Sequence, residues 1–205
     1  MINAAVGRPR INGMEATYFF DPACPFTWNT SRWLVTVAAE RGVTLRWRAF
    51  SLSILNGGNT PAQYKPMMDA SSRALRLVEA LRADNRHDDI AVFYTELGTR
   101  TFEAEAPLSD EIVEQAAEAA GISDAKTVLD DAAWDQNVRE SHEFAFGSAG
   151  PDIGSPVLLI EGAERGVHGP IIKGVPEREE ALAIWDATVP LARSRTFFEL
   201  KRGRQ

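Results

Sequence analysis

The chain has one cysteine in 205 residues, Cys24, which excludes an internal disulfide and fits a reducing compartment. It has three histidines, His87, His142 and His168, none at the His-x-x-x-His spacing of a metal pair. With a single cysteine, no metal site is expected. No run of about 18 apolar residues is there to span a bilayer, and "MINAAVGRPRING" lacks the apolar stretch of a secretory signal. A cytoplasmic address without a membrane partner follows as an expectation. Positive charge is in deficit, 22 Lys and Arg against 29 Asp and Glu for a net charge of -7. Nucleic acid and anionic membranes would repel such a chain. There is no Gly-rich phosphate loop, no G-x-G-x-x-G after the first strand and no G-x-S-x-G, so nucleotide and flavin cofactors have no support.

What is present is enough for a full core, with 44% apolar residues. Residues 1–13, with Gly7, Pro9 and Gly13 and no periodicity, read as a flexible tail, and Met14 as a candidate start. "EATYFFD" (15–21) reads as a buried strand ended by Asp21 and Pro22. From Pro25 to about Arg41 the period becomes helical, with Trp28, Ser31, Leu34, Val35 and Ala38 on one face and Gly42 as C-terminal cap. "VTLRWRAFSL" (43–52) alternates as a half-exposed strand, so the chain opens β-α-β. Residues 60–148 read as a helical block. One helix opens at Thr60-Pro61, one runs from Ser109 to Gly121, and one runs from Ser123 to about Phe146. After the Gly- and Pro-rich loop "GSAGPDIGSP", the runs 157–162 and 167–172 read as a β-hairpin, and Pro176 opens a last helix.

The order is an α/β one: β-α-β, helical block, β-β-α. With C-x-x-X at the start of the first helix and a proline before the third strand, it resembles the thioredoxin fold with a large α-helical insertion, as in the DsbA-like family. "FFDPACPFTWNTSRWL", "FSLSILN", "GSPVLLIEG", "HGPII" and "FFELKR" resemble the actinobacterial mycothiol-dependent nitroreductase branch over about Met14 to Arg202. The resemblance implies a thioredoxin-fold domain over 14–59 and 149–205 with an insertion over 60–148. It also implies mycothiol or another low-molecular-weight thiol as cofactor, with an electrophilic or disulfide substrate as partner. A homodimer is compatible with it. Members usually carry C-P-x-C; here Thr27 stands in place of the second cysteine.

At the N-cap of a helix opened by Pro25, Cys24 faces unpaired N–H groups and the positive end of the dipole. Thiols so placed titrate at about 3.5 to 7.5 rather than ~8.5, so an activated thiolate is expected. The Thr27 hydroxyl supports a thiolate but cannot resolve a disulfide, so release of a mixed disulfide falls to a thiol from outside. The alternative open at this point is a kappa-type transferase or isomerase, in which Cys24, Thr27 and the helix start hold the cofactor's own thiolate. A non-catalytic thiol-binding module is the third reading. Cys24 and Thr27 are thus the candidate catalytic residues. Pro25, Phe26 and Trp28 are candidate binding residues beside them, with Phe26 expected to be exposed. The resemblance implies a cis Ser155-Pro156 bond facing Cys24, which places both residues in the site. His142, ahead of the loop to Pro156, and Tyr64, in the block that covers the site in this family, complete the candidates. Asp21 reads first as a strand-end turn residue and second as a proton relay.

Overall fold

The computed structural model describes residues 13–203. The expected tail therefore lies, but for Gly13, outside the described residues. Strand β1 (Glu15–Phe20) leads into helix α1 (Pro25–Arg41), and β2 (Thr44–Ala49) lies parallel to β1 with Phe20 opposite Ala49. Helix α1 ends where Gly42 turns left-handed (φ 66°) and its N–H reaches the Ala38 carbonyl, a conformation glycine adopts without steric cost. The buried face of α1 is wider than the expected stripe: Thr27, Thr30, Trp33 and Val37 are buried, whereas Val35 faces out. Other helices press on it from more than one side.

Between β2 and β3 the described backbone forms helices and turns. These are α2 (Leu52–Asn56), α3 (Lys65–Ala83), α4 (His87–Gly98), α5 (Asp110–Ala119), α6 (Ala125–Asp130) and α7 (Asp135–Ala149). Several boundaries correct the sequence reading. Strand β2 stops at Ala49 because Ser51 caps a new helix, its hydroxyl accepting from the Ile54 N–H at 3.2 Å. Helices α3 and α4 are separated at Asn85, which is left-handed (φ 57°). The expected helix from Ser123 to Phe146 is two helices. Asp131 is extended there and its side chain accepts from the Ala133 N–H at 2.9 Å, which breaks the ladder. Ser109 does cap α5, accepting from the Ile112 N–H at 3.3 Å.

Strand β3 (Val157–Ile160) runs antiparallel to β1, and β4 (Val167–His168) antiparallel to β3, giving the sheet order β2-β1-β3-β4. The second arm of the hairpin is shorter than expected, since Gly169 (φ 106°) turns away and Pro170 has no N–H to give the ladder. Helix α8 (Arg178–Ala192) begins two residues after Pro176 and packs on α1, with the Trp33 indole donating to the Ala181 carbonyl at 2.9 Å. The edge strand β2 is covered by α3, whose buried Glu79 accepts from the Ala49 N–H at 2.8 Å and pairs with Arg82.

Because Phe19 of β1 pairs with Val157 of β3, the chain leaving β1 and the chain entering β3 meet at one end of the sheet. That end holds both Cys24 and Ser155-Pro156.

The α1–α4 packing depends on Gly98. A Cβ there would stand 2.1 Å from the Trp28 ring, and the indole is held by Tyr94 edge-on at 5.7 Å and Phe102 stacked at 6.0 Å. Gly98→Ala should therefore destabilise the chain by about 1–3 kcal/mol or more through overpacking. Chemical denaturation of both forms measures it, and equal midpoints would contradict this packing.

Candidate functional site

The site is built on a loop that doubles back on itself. Asp21 follows β1, its carbonyl accepts from the Cys24 N–H at 3.0 Å, and its Oδ1 accepts from the Ala23 N–H at 2.8 Å. Cys24 is thereby set at the N-cap of α1 in extended conformation, and its carbonyl accepts from the Thr27 N–H (3.1 Å) and the Trp28 N–H (3.3 Å). Pro25 at the first helical position has no N–H to leave unpaired.

Ser155 closes the site from the opposite strand. The Cys24 thiol donates to its carbonyl at 3.5 Å, its hydroxyl pairs with that of Thr27 at 2.9 Å, and the same hydroxyl accepts from the Asp21 N–H at 3.2 Å. The Ser155-Pro156 peptide bond is cis. The structure thus brings Cys24, Thr27, Ser155 and Pro156 together, all buried, with Pro25 exposed and Phe26 half-buried at the outer side of the first turn.

The expected thiol activation is corrected. Cys24 is 6% exposed, and burial pushes its thiol above the ordinary value. The Thr27 hydroxyl and the N–H groups of Thr27 and Phe26 pull it down, the Asp21 carboxylate pushes it up, and desolvation is the largest of these. The helix start lowers the cost of a thiolate here without overcoming burial, so the resting group is a thiol.

Trp28 is 4% exposed and clamped among Tyr94, Phe102 and the Arg32 guanidinium, 4.3 Å over its ring. It packs the α1–α4 seam, which corrects its place among the binding residues. His142 is 5% exposed; its Nδ1 accepts from the Ser51 N–H at 3.3 Å and its ring meets Phe50 edge-on at 4.6 Å. Burial lowers its pKa, in keeping with a neutral imidazole that accepts. It positions the entry to α2. Tyr64 lies in the turn ahead of α3, 48% exposed, and is not joined to the Cys24 group.

Asp21 is more than a turn residue. It is buried, and besides Ala23 its carboxylate accepts from the Leu52 N–H at 2.7 Å and the Ser71 hydroxyl at 2.5 Å, joining the Cys24 loop to α2 and α3. Desolvation raises its own pKa despite these three donors. Ser71 had one signal in the sequence, a hydroxyl on the apolar face of α3 between Ala70 and Ala74. Among the described residues no group of three His, Cys, Asp or Glu is placed to hold a metal ion, and no helix is long and apolar enough to cross a membrane. Cavities of about 320 Å³ between α5 and α6 and about 400 Å³ beside Glu15 and Glu161 lie away from Cys24.

The profile of the Rv2466c-like family, described as mycothiol-dependent nitroreductase Rv2466c, matches residues 23–202, and the chain belongs to that family. It is 29% identical over 195 residues to the uncharacterized protein Rv2286c of Mycobacterium tuberculosis, covering 90% of this chain and 80% of that protein. Among solved structures it is similar to a 2-hydroxychromene-2-carboxylate isomerase (TM-score 0.59, 17% identity, 87% of this chain and 96% of the other). A probable DsbA oxidoreductase from Streptomyces coelicolor also matches (TM-score 0.56, 20% identity, 92% and 94%). These likenesses show the fold: a DsbA-like thioredoxin fold with helices between β2 and β3.

Alkylation of native Cys24 should have its midpoint above the ~8.5 of a free cysteine. Asp21→Asn should move it to lower pH by removing a negative charge, and Thr27→Val to higher pH by removing a donor. Rates against pH for the three proteins check the signs. A wild-type midpoint near neutrality, or both variants moving together, would contradict the assignment.

Proposed function

We propose that this member of the Rv2466c-like family is an oxidoreductase working with a low-molecular-weight thiol, mycothiol or a close analogue, and that Cys24 is its reacting sulfur. The observation that carries the reading is the contact of Cys24 Sγ with the Ser155 carbonyl beside the cis proline, with the Thr27 hydroxyl paired to Ser155. The residues suit a bound sulfur: the Thr27 hydroxyl and the N–H groups of Thr27 and Phe26 favour a thiolate, and Pro25 and Phe26 form the outer edge by which a small thiol enters.

In the exchange, Cys24 loses its proton and attacks a disulfide substrate. A bond forms between Cys24 and one half, and the other half leaves as thiolate and takes a proton. With Thr27 in place of a resolving cysteine, a small thiol breaks the mixed bond by taking up the substrate half, leaving the Cys24 thiol and a disulfide between that half and the small thiol, so the substrate is reduced at the small thiol's expense. Where a nitro group is the acceptor, the Cys24 thiol and one small thiol supply two electrons and two protons, the nitro group becomes nitroso with loss of water, and the mixed disulfide left on Cys24 is opened by a second small thiol, which restores the Cys24 thiol and leaves one small-thiol disulfide. The helices over 60–148 serve as the cover that the electrophile packs beneath.

A second reading is favoured by the burial that keeps Cys24 a thiol: Thr27 and Ser155 hold the small thiol's own sulfur, which attacks the electrophile in a transfer or isomerisation without covalent Cys24 chemistry. Wild type and Cys24→Ser, assayed with mycothiol and nitro, quinone and epoxide electrophiles, separate the readings. Loss of turnover by at least about a hundredfold in Cys24→Ser is expected, the scale on which a missing nucleophile is felt. Retained turnover would move the assignment to the second reading, and thiol binding with no turnover by wild type would leave a binding module.

A further inference from the structure

Along β2 and the two residues after it, the backbone N–H groups alternate between two sides. Those of Thr44 and Phe50 donate to the Met14 and Phe20 carbonyls at 2.9 Å, on the β1 side, so those of Trp47, Ala49 and Ser51 point to the outer edge. Among the described residues β2 has a strand on one side only. On the other, each N–H meets a side-chain acceptor from a different helix. Trp47 donates to His87 Nδ1 of α4 at 3.2 Å, Ala49 to Glu79 Oε1 of α3 at 2.8 Å, and Ser51 to His142 Nδ1 of α7 at 3.3 Å. Unpaired edge N–H groups are a template on which another strand adds, and here they are taken up one by one.

An imidazole accepts at Nδ1 only when that nitrogen carries no hydrogen, so both histidines are neutral, with the hydrogen on Nε2. A carboxylate keeps its lone pairs through the range in which an imidazole, with an ordinary pKa of ~6.5, loses one. The surroundings hold the neutral forms. His142 is 5% exposed, with Phe50 edge-on at 4.6 Å and Phe146 stacked at 6.0 Å. Its charged neighbours are Glu143 and Arg139 of α7, opposite in sign, while Asp21, across Leu52, is occupied by the Ala23, Leu52 and Ser71 donors. His87 opens α4, where the positive end of the helix dipole opposes a cation. Arg46 of β2 and Arg82 of α3 oppose it further, and Glu15 of β1 and Asp88 of α4 favour it. Burial is the largest influence on both imidazoles and lowers both pKa values.

We propose that His87 and His142 form an acid-sensitive clasp: neutral, they close the outer edge of β2 and hold the entry to α2, and on protonation they release the Trp47 and Ser51 N–H groups while Glu79 keeps that of Ala49. Such a clasp works whatever Cys24 reacts with. Ser51 precedes Leu52, whose N–H fixes Asp21, so release at His142 falls one residue from the support of the Cys24 loop. Because the folded-state pKa values lie below those of the unfolded chain, the stability contributed by the clasp is complete above about pH 6.5 and is lost as pH falls. Each histidine then removes up to about tenfold of the folded-to-unfolded ratio per pH unit.

Hydrogen exchange of the full chain, followed at single amides by NMR from about pH 7.5 to about pH 5, tests the clasp. Protection at Trp47 and Ser51 is expected to fall by about tenfold or more relative to Ala49. Denaturation over the same range should show His87→Asn and His142→Asn, which keep an acceptor oxygen that does not titrate, each losing several-fold less of the folded-to-unfolded ratio than wild type. Should either variant fail to fold, the wild-type exchange decides. Protection at the three amides moving in step, or staying level across the range, would overturn the proposal, as would variants with the wild-type pH dependence.

Discussion

Ser155 is the residue on which the site turns. From the strand opposite it gives a carbonyl to the Cys24 thiol, shares its hydroxyl with Thr27, and accepts the Asp21 N–H. These contacts join residues more than 125 positions apart, and they exist because β3 pairs antiparallel with β1, Phe19 facing Val157. Without that register the 21–27 loop would have no wall. With it, sulfur, hydroxyls and helix start converge at one buried point. The same confinement makes burial the largest influence on the thiol.

Two opposing effects meet at Cys24. A helix N-terminus and a hydroxyl donor favour the thiolate, while desolvation and the Asp21 carboxylate disfavour it, and desolvation wins in the resting protein. A ligand that brings its own donors, or opens the loop toward Pro25 and Phe26, changes that balance. Asp21 matters for the same reason: its carboxylate fixes Leu52 and Ser71, so the loop carrying the thiol moves with α2 and α3 rather than alone. On the other side of α1, Trp28 lies against Gly98, tying the first turn of the helix to α4.

Much of this was legible in the sequence. The period change at Pro25, the glycine at 42 and the alternation of residues 44–49 are local signals, and local rules govern them. The pairing of Cys24 and Thr27 with Ser155-Pro156 was legible through the resemblance. What the sequence hid depends on three-dimensional packing. Trp28 reads as a site neighbour by position yet belongs to a seam whose other half is about seventy residues away. Asp21 reads as a strand end because nothing local announces Ser71 and Leu52 as its donors. His142 was near enough in the chain to the loop before Pro156 to be a candidate, but its nitrogen is taken by the Ser51 N–H. The pKa direction at Cys24 was missed because an N-cap position states the helix field and says nothing of how much solvent remains.

The central claim, that Cys24 exchanges with a small thiol, is tested most directly by intact-mass analysis of the native chain after exposure to mycothiol disulfide. The account predicts one added thiol equivalent, mapped to Cys24 and removed by free mycothiol. An unmodified protein that still turns over an electrophile with mycothiol would contradict it.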